Sequence, residues 1–122
     1  MEELKNLILQ YNSNQVKVIT NLSEFDWQMI PDYKKIAVYR VIQELFINAK
    51  KHSGCARITL MTKDVEKKRV ITYTDDGIGC DISRVKTNGL INAENRMENI
   101  KGKLTFETSP RLGFRAILLF QK

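Results

Sequence analysis

The sequence predicts an α/β fold, a two-layer α/β sandwich in which a mixed sheet of about five strands carries three helices on one face. Its apolar spacing switches repeatedly between the helical and the strand period, in the order helix, strand, helix, two strands, helix, two strands. Clusters of Gly, Pro, Asn, Asp and Ser separate those segments. At 122 residues, 43% of them hydrophobic, with no repeat, low-complexity tract or linker, the chain reads as a single domain, residues 1–122, able to bury its own core.

Leu4, Leu7 and Ile8 recur at helical spacing, so residues 2 to 11 read as an amphipathic helix closed by Asn12-Ser13-Asn14. Val16, Val18 and Thr20 alternate, which predicts a strand over 15 to 22 and a short extended piece at Trp27 to Ile30. Pro31-Asp32 reads as a helix start with Asp32 as N-cap. Val38, Val41, Ile42, Leu45, Phe46 and Ala49 then mark one buried face of a long helix. Ala56 to Met61 and Val70 to Thr74 form a hairpin around a charged turn at Asp64 to Lys68. A polar connection from Asp81 to Asn88 leads to a helix over about 90 to 101, ended by Gly102. Lys103 to Thr108 and Phe114 to Phe120 close the sheet as a second hairpin.

Composition narrows the function classes. The formal charge of +6 admits an anionic partner, yet the basic residues are scattered and no aromatic-rich nucleic-acid motif accompanies them, so no nucleic acid is expected. Cys55 and Cys80 are too few for a disulfide framework and do not pair with His52 in a metal-ligand spacing. No apolar run is long enough to span a bilayer and the start, Met-Glu-Glu-Leu-Lys, lacks a signal pattern, so a cytoplasmic domain without membrane contact of its own is expected.

Chemistry-bearing residues gather in two places. A rotation of about 100° per residue puts Arg40, Glu44, Asn48 and Lys51 in one polar stripe of the long helix. A solvated helix face is the plain alternative, against which stands an asparagine, a poor helix former, in mid-helix. The strand that follows ends in Asp75-Asp76-Gly77-Ile78-Gly79. Two glycines one residue apart let the backbone turn sharply against a flat ligand, and a strand-end carboxylate accepts from an exocyclic amine. A simple loop is the alternative there.

Taken together, Glu44 to Ser53, Asp75 to Gly79, and Gly89-Leu90-Ile91-Asn92 leading to Arg96 and Gly102-Lys103-Leu104 closely resemble the N box, G1 box and G2 region of the GHKL ATPase superfamily. Within it the sequence is most similar to the ATP-binding domains of bacterial two-component sensor histidine kinases, in the short-lid class related to nitrate, lipid-fluidity and cell-envelope sensors. The resemblance runs from the first helix to the last strand. It implies a Bergerat-type ATP-binding fold, ATP and Mg²⁺ as cofactors, and phosphoryl transfer to a histidine on a dimerisation and phosphoacceptor domain that these 122 residues do not contain. It further implies a homodimeric intact kinase with a downstream response regulator.

Position by position, the resemblance makes Asn48 the Mg²⁺ ligand, through its side-chain oxygen. Glu44 orients or deprotonates the attacking group, Lys51 neutralises phosphate charge, and His52 contacts ribose or phosphate and is not the phosphoacceptor. Asp75 reads the adenine amino group, Gly77 and Gly79 admit base and phosphates, and Asp76 forms the turn. Gly89 and Leu90 open the helix whose N–H groups face the phosphates.

Two departures stand out. Thr87-Asn88-Gly89-Leu90 lacks the first glycine of the family's Gly-x-Gly-Leu segment, and Phe114 follows Gly113 where the family often has threonine near the adenine-binding aspartate. A regulatory nucleotide-binding module without kinase activity and an anti-sigma-type serine kinase remain the alternatives. Chaperone, topoisomerase and mismatch-repair ATPases share the signals but are built into much longer chains.

Overall fold

The computed structural model describes residues 2–13, 15–50, 57–77, 88–108 and 113–122. Among them are three α-helices and a five-stranded mixed sheet. The first helix, α1 (Glu2–Tyr11), buries Leu4 and Leu7. The asparagine-serine cluster after it does two jobs, because Ser13 Oγ accepts from Val16 N at 3.1 Å and Asn12 Oδ1 from Val18 N at 3.0 Å. Those bonds satisfy backbone N–H groups at the entry to strand β1 (Lys17–Asn21) and tie it to the residues that follow α1.

Trp27–Met29 is a 3-10 turn, not the extended piece the sequence suggests. Asp26 caps it through its side chain, which accepts from Gln28 N at 3.2 Å, and Trp27 Nε1 bonds Leu22 O at 3.0 Å. This local capping outcompetes an extended backbone that has no strand neighbour to pair with. Helix α2 (Asp32–Asn48) starts one residue earlier than expected relative to its cap: Pro31 is the N-cap, and Asp32 makes an ion pair with Lys35 at 3.3 Å. Pro31 O accepts from Lys34 N and Lys35 N at 3.0 and 3.1 Å, and the cap makes no side-chain hydrogen bond.

Strands β2 (Arg57–Val65) and β3 (Lys68–Asp75) run further than their alternation suggests. Their turn shrinks to Glu66-Lys67, with Glu66 at φ 57°. Helix α3 (Asn88–Asn99) is followed by β4 (Lys103–Thr108) and β5 (Phe114–Gln121). At the end of α3 the left-handed residue is Lys101, φ 60°, while Gly102 is needed for close approach: a Cβ there would lie 2.7 Å from Leu119 O.

The strand order is β1-β2-β3-β5-β4, with β1 parallel to β2 and the other neighbours antiparallel. Alternation assigns Ile58, Leu60, Ile71, Tyr73, Ala116, Leu118 and Phe120 to the inner face, where they meet Val38, Val41, Ile42, Leu45 and Phe46 of α2 and Leu90, Ala93 and Met97 of α3. Thr62, on the same face, bonds Asn21 O at 2.9 Å and ties the parallel edge strand down. Phe46 is wholly buried, with the rings of Tyr11 at 5.2 Å and Tyr73 at 6.0 Å. Truncating it leaves a cavity between the two layers. Phe46→Ala is expected to lower the unfolding free energy by about 3–5 kcal/mol, read from urea denaturation; a loss below about 1 kcal/mol would mean the layers close over the gap.

Candidate functional site

The polar stripe of α2 divides on inspection. Arg40 is exposed, whereas Glu44 and Asn48 are half-buried near the helix end. Asn48 Nδ2 is buried and has no hydrogen-bond partner among the described residues. Leaving such a group unsatisfied costs about 1–3 kcal/mol, and amide oxygen and nitrogen can exchange places by rotation about one bond. A carboxamide of this kind is suited to a ligand that completes its bonding.

Glu44 points at the first turn of α3. An added Cβ at Gly89 would overlap Glu44 Oε2 and come within 3.0 Å of its Cδ, so a side chain at Gly89 would displace that carboxylate. The helix itself begins at Asn88. Leu90 is fully buried and its side chain belongs to the core.

The end of β3 supplies the opposite wall. Asp75 is only 8% exposed, and both of its oxygens are bonded: Oδ2 accepts from the Tyr73 hydroxyl at 2.9 Å and Oδ1 from Gly77 N at 3.0 Å. Asp76 faces the other way, its Oδ1 accepting from Arg57 N at 2.8 Å, so it closes the β2 edge as a turn residue. Burial pushes the Asp75 carboxyl up from its ordinary value, the Tyr73 and Gly77 hydrogen bonds pull it back, and the Asp76 charge adds to the rise. Gly113, at φ 81°, lies where a Cβ would sit 2.6 Å from Asp75 O. Phe114 pairs directly with Asp75 across β3 and β5. The carboxylate therefore keeps two donors despite the phenylalanine.

Tyr73 joins these walls, and nothing in the motif reading singled it out. Its hydroxyl lies 2.9 Å from Asp75 Oδ2 and 3.5 Å from Leu45 O, one turn of α2 before Asn48. The available signal was its place two residues before Asp75, which puts both on one strand face. Glu44, Asn48, Asp75, Gly77 and Gly89 thus gather at the C-terminal end of α2. Lys51, His52 and Gly79 lie outside the described residues, as does Thr87. A second concavity, lined by Glu2, Trp27, Asp32, Ile36 and Tyr39 among others, sits at the opposite end of α2. Its α2 residues lie roughly 14 to 24 Å along the helix axis from Asn48, at about 1.5 Å per residue.

No family model matches the chain. In fold it is similar to the histidine kinase domain of the blue-light activated histidine kinase of Erythrobacter litoralis EL346, with TM-score 0.78, 15% identity, and coverage of 97% of this chain and 57% of that one. The longer structure of that kinase gives TM-score 0.81 at 14% identity, covering 98% and 39%. In sequence the chain is 35% identical over 86 residues to the sensor histidine kinase ComP of Bacillus subtilis, across 67% of its length. The chain belongs to the sensor histidine kinase ATPase domains. The histidine-protein kinase/phosphatase DegS of Brevibacillus brevis is 27% identical over 93 residues, 75% of the domain. The domain spans 11% of ComP and 24% of DegS.

The state of Asp75 has a consequence for stability. A carboxyl held above its ordinary value of 3.8 binds its proton more tightly folded than unfolded. Its stabilising contribution is therefore present below that value and lost as pH rises through the folded one. Asp75→Asn, neutral at every pH, is expected to melt at or above the wild-type Tm at neutral pH, with the difference shrinking on acidification. Calorimetry across that range checks it; a variant that melts lower at neutral pH and converges with wild type only in acid contradicts it.

Proposed function

We propose that the chain is the ATP-binding catalytic domain of a sensor histidine kinase, which positions Mg²⁺-ATP for phosphoryl transfer to a histidine on a separate dimerisation domain. The observation that carries this reading is the convergence, at one end of α2, of a buried strand-end carboxylate and a half-buried asparagine whose Nδ2 has no hydrogen-bond partner among the described residues. Asp75 accepts from the exocyclic amine of the base, and Gly77 and Gly79, lacking side chains, admit the base and phosphates. Glu44 is the group that orients or deprotonates the attacking nitrogen. Lys51 and His52, just beyond α2, take phosphate and ribose contacts, and Gly89 with Leu90 opens the helix toward the phosphates.

The donor set suits Mg²⁺. Asn48 would offer one hard oxygen to an ion that keeps waters and also holds phosphate oxygens. When bound, the ion neutralises phosphate charge. Catalysis of this kind is mainly alignment and electrostatics, with little covalent work for side chains.

The partners follow from the same reading: a dimerisation and phosphoacceptor domain, a homodimeric kinase and a response regulator. Among the described residues no helix is long and apolar enough to cross a membrane, and we place the domain in the cytoplasm. Titration with a fluorescent ATP analogue, with and without Mg²⁺, tests the site. Asn48→Ala is expected to lose chiefly the Mg²⁺-dependent part of binding and Asp75→Ala to weaken it roughly tenfold or more, the effect of one charge-assisted hydrogen bond. Unchanged affinity in both variants removes the nucleotide reading. Joining the domain to dimerisation helices and following labelled phosphate onto histidine separates a kinase from a regulatory nucleotide-binding module.

A further inference from the structure

The Tyr73 hydroxyl stands between acceptors from the two layers of the fold, Asp75 Oδ2 on its own strand at 2.9 Å and Leu45 O on α2 at 3.5 Å. A phenol has one proton to give, and the shorter, charge-assisted bond takes it. Leu45 O loses nothing, because it already accepts from Ala49 N. The ring has no freedom to follow a moving carboxylate: Tyr73 is 0% exposed and its centroid is 6.0 Å from that of Phe46 and 6.2 Å from that of Phe114. The donor therefore reaches Asp75 from a direction set by core packing, while Gly77 N fixes the other oxygen at 3.0 Å. Each carboxylate oxygen retains a further lone pair.

We propose that Tyr73 is a positioning residue for base recognition, holding the plane of the Asp75 carboxylate so that its free lone pairs select a purine carrying a 6-amino group over one that lacks it. The inference rests on the nucleotide reading above and assigns its specificity to a hydroxyl that does not touch the base. Without that hydroxyl, Asp75 Oδ2 has no donor among the described residues, and the carboxylate turns or changes its hydrogen-bonding character. Either response spoils acceptance from an amine. Contacts to sugar and phosphate are untouched.

The test uses the whole chain with Mg²⁺ and two probes: ATP, and purine riboside 5′-triphosphate, which differs only in lacking the 6-amino group. Wild type is expected to prefer ATP by roughly tenfold or more, the effect of one charge-assisted hydrogen bond. Tyr73→Phe keeps the ring and is expected to bring ATP affinity down to that of the analogue, with analogue affinity within about twofold of wild type. A variant that retains the wild-type ratio overturns the proposal, and so does one that weakens both nucleotides equally, since a purely structural role predicts that. Wild type that fails to bind ATP, or binds it no better than Asp75→Ala, sinks the nucleotide reading itself. Should Tyr73→Phe not fold, NMR of the wild type decides: a slowly exchanging Tyr73 hydroxyl proton whose signal shifts on adding ATP but not the analogue supports the assignment, and a freely exchanging one overturns it.

Discussion

A carboxylate withdrawn from water must be hydrogen-bonded, and the burial of Asp75 at 8% exposure imposes that demand at the point where the sheet ends. The fold meets it with one donor from the turn, Gly77 N, and one from the core, the Tyr73 hydroxyl. The second donor is the more consequential. It makes the orientation of a site residue depend on the packing of Phe46 from α2 and Phe114 from β5 against one ring. Even the tight approach of Gly113 to Asp75 O belongs to this arrangement, since any Cβ there would push β5 away from the strand end.

Helix α2 is the second half of the constraint. Its apolar face is consumed by the core, and near its C-terminal end the polar Glu44 and Asn48 are half-buried. Gly89 fits against Glu44 without a side chain between them, which brings the start of α3 onto the same end of α2. The proposed function draws on this geometry: base and phosphate would be gripped by elements that share a core and therefore cannot drift apart independently.

Much of this was legible in the sequence, for reasons that differ by element. The long apolar stripe from Val38 to Ala49 and the alternation in β2, β3 and β5 are strong because burial on one face forces a period. The fold class and the element order followed from that, while the separate roles given to Asp75 and Asp76 came with the family resemblance. Of the extended piece expected at Trp27 to Ile30, only Ile30 is extended, because the turn over Trp27–Met29 depends on Asp26 accepting from Gln28 N, a local bond that competes with β propensity. Asp32 reads as a cap on residue type alone, yet it stands in the first turn of α2 with Pro31 at the cap position. The parallel pairing of β1 with β2 and the role of Tyr73 were out of reach, since both are set by which elements meet in space. Lys51, His52 and Gly79 fall outside the described residues, so their assignment rests on the family alone.

The proposed function requires Asp75 and Asn48 to hold opposite ends of one nucleotide. A crystal structure of the chain grown with Mg²⁺ and a non-hydrolysable ATP analogue measures it most directly. The account predicts the purine amino group within hydrogen-bond distance of the Asp75 carboxylate and the Asn48 side chain facing the phosphates. A nucleotide seated instead in the concavity near Trp27 and Ile36, or one whose base turns away from Asp75, would contradict it.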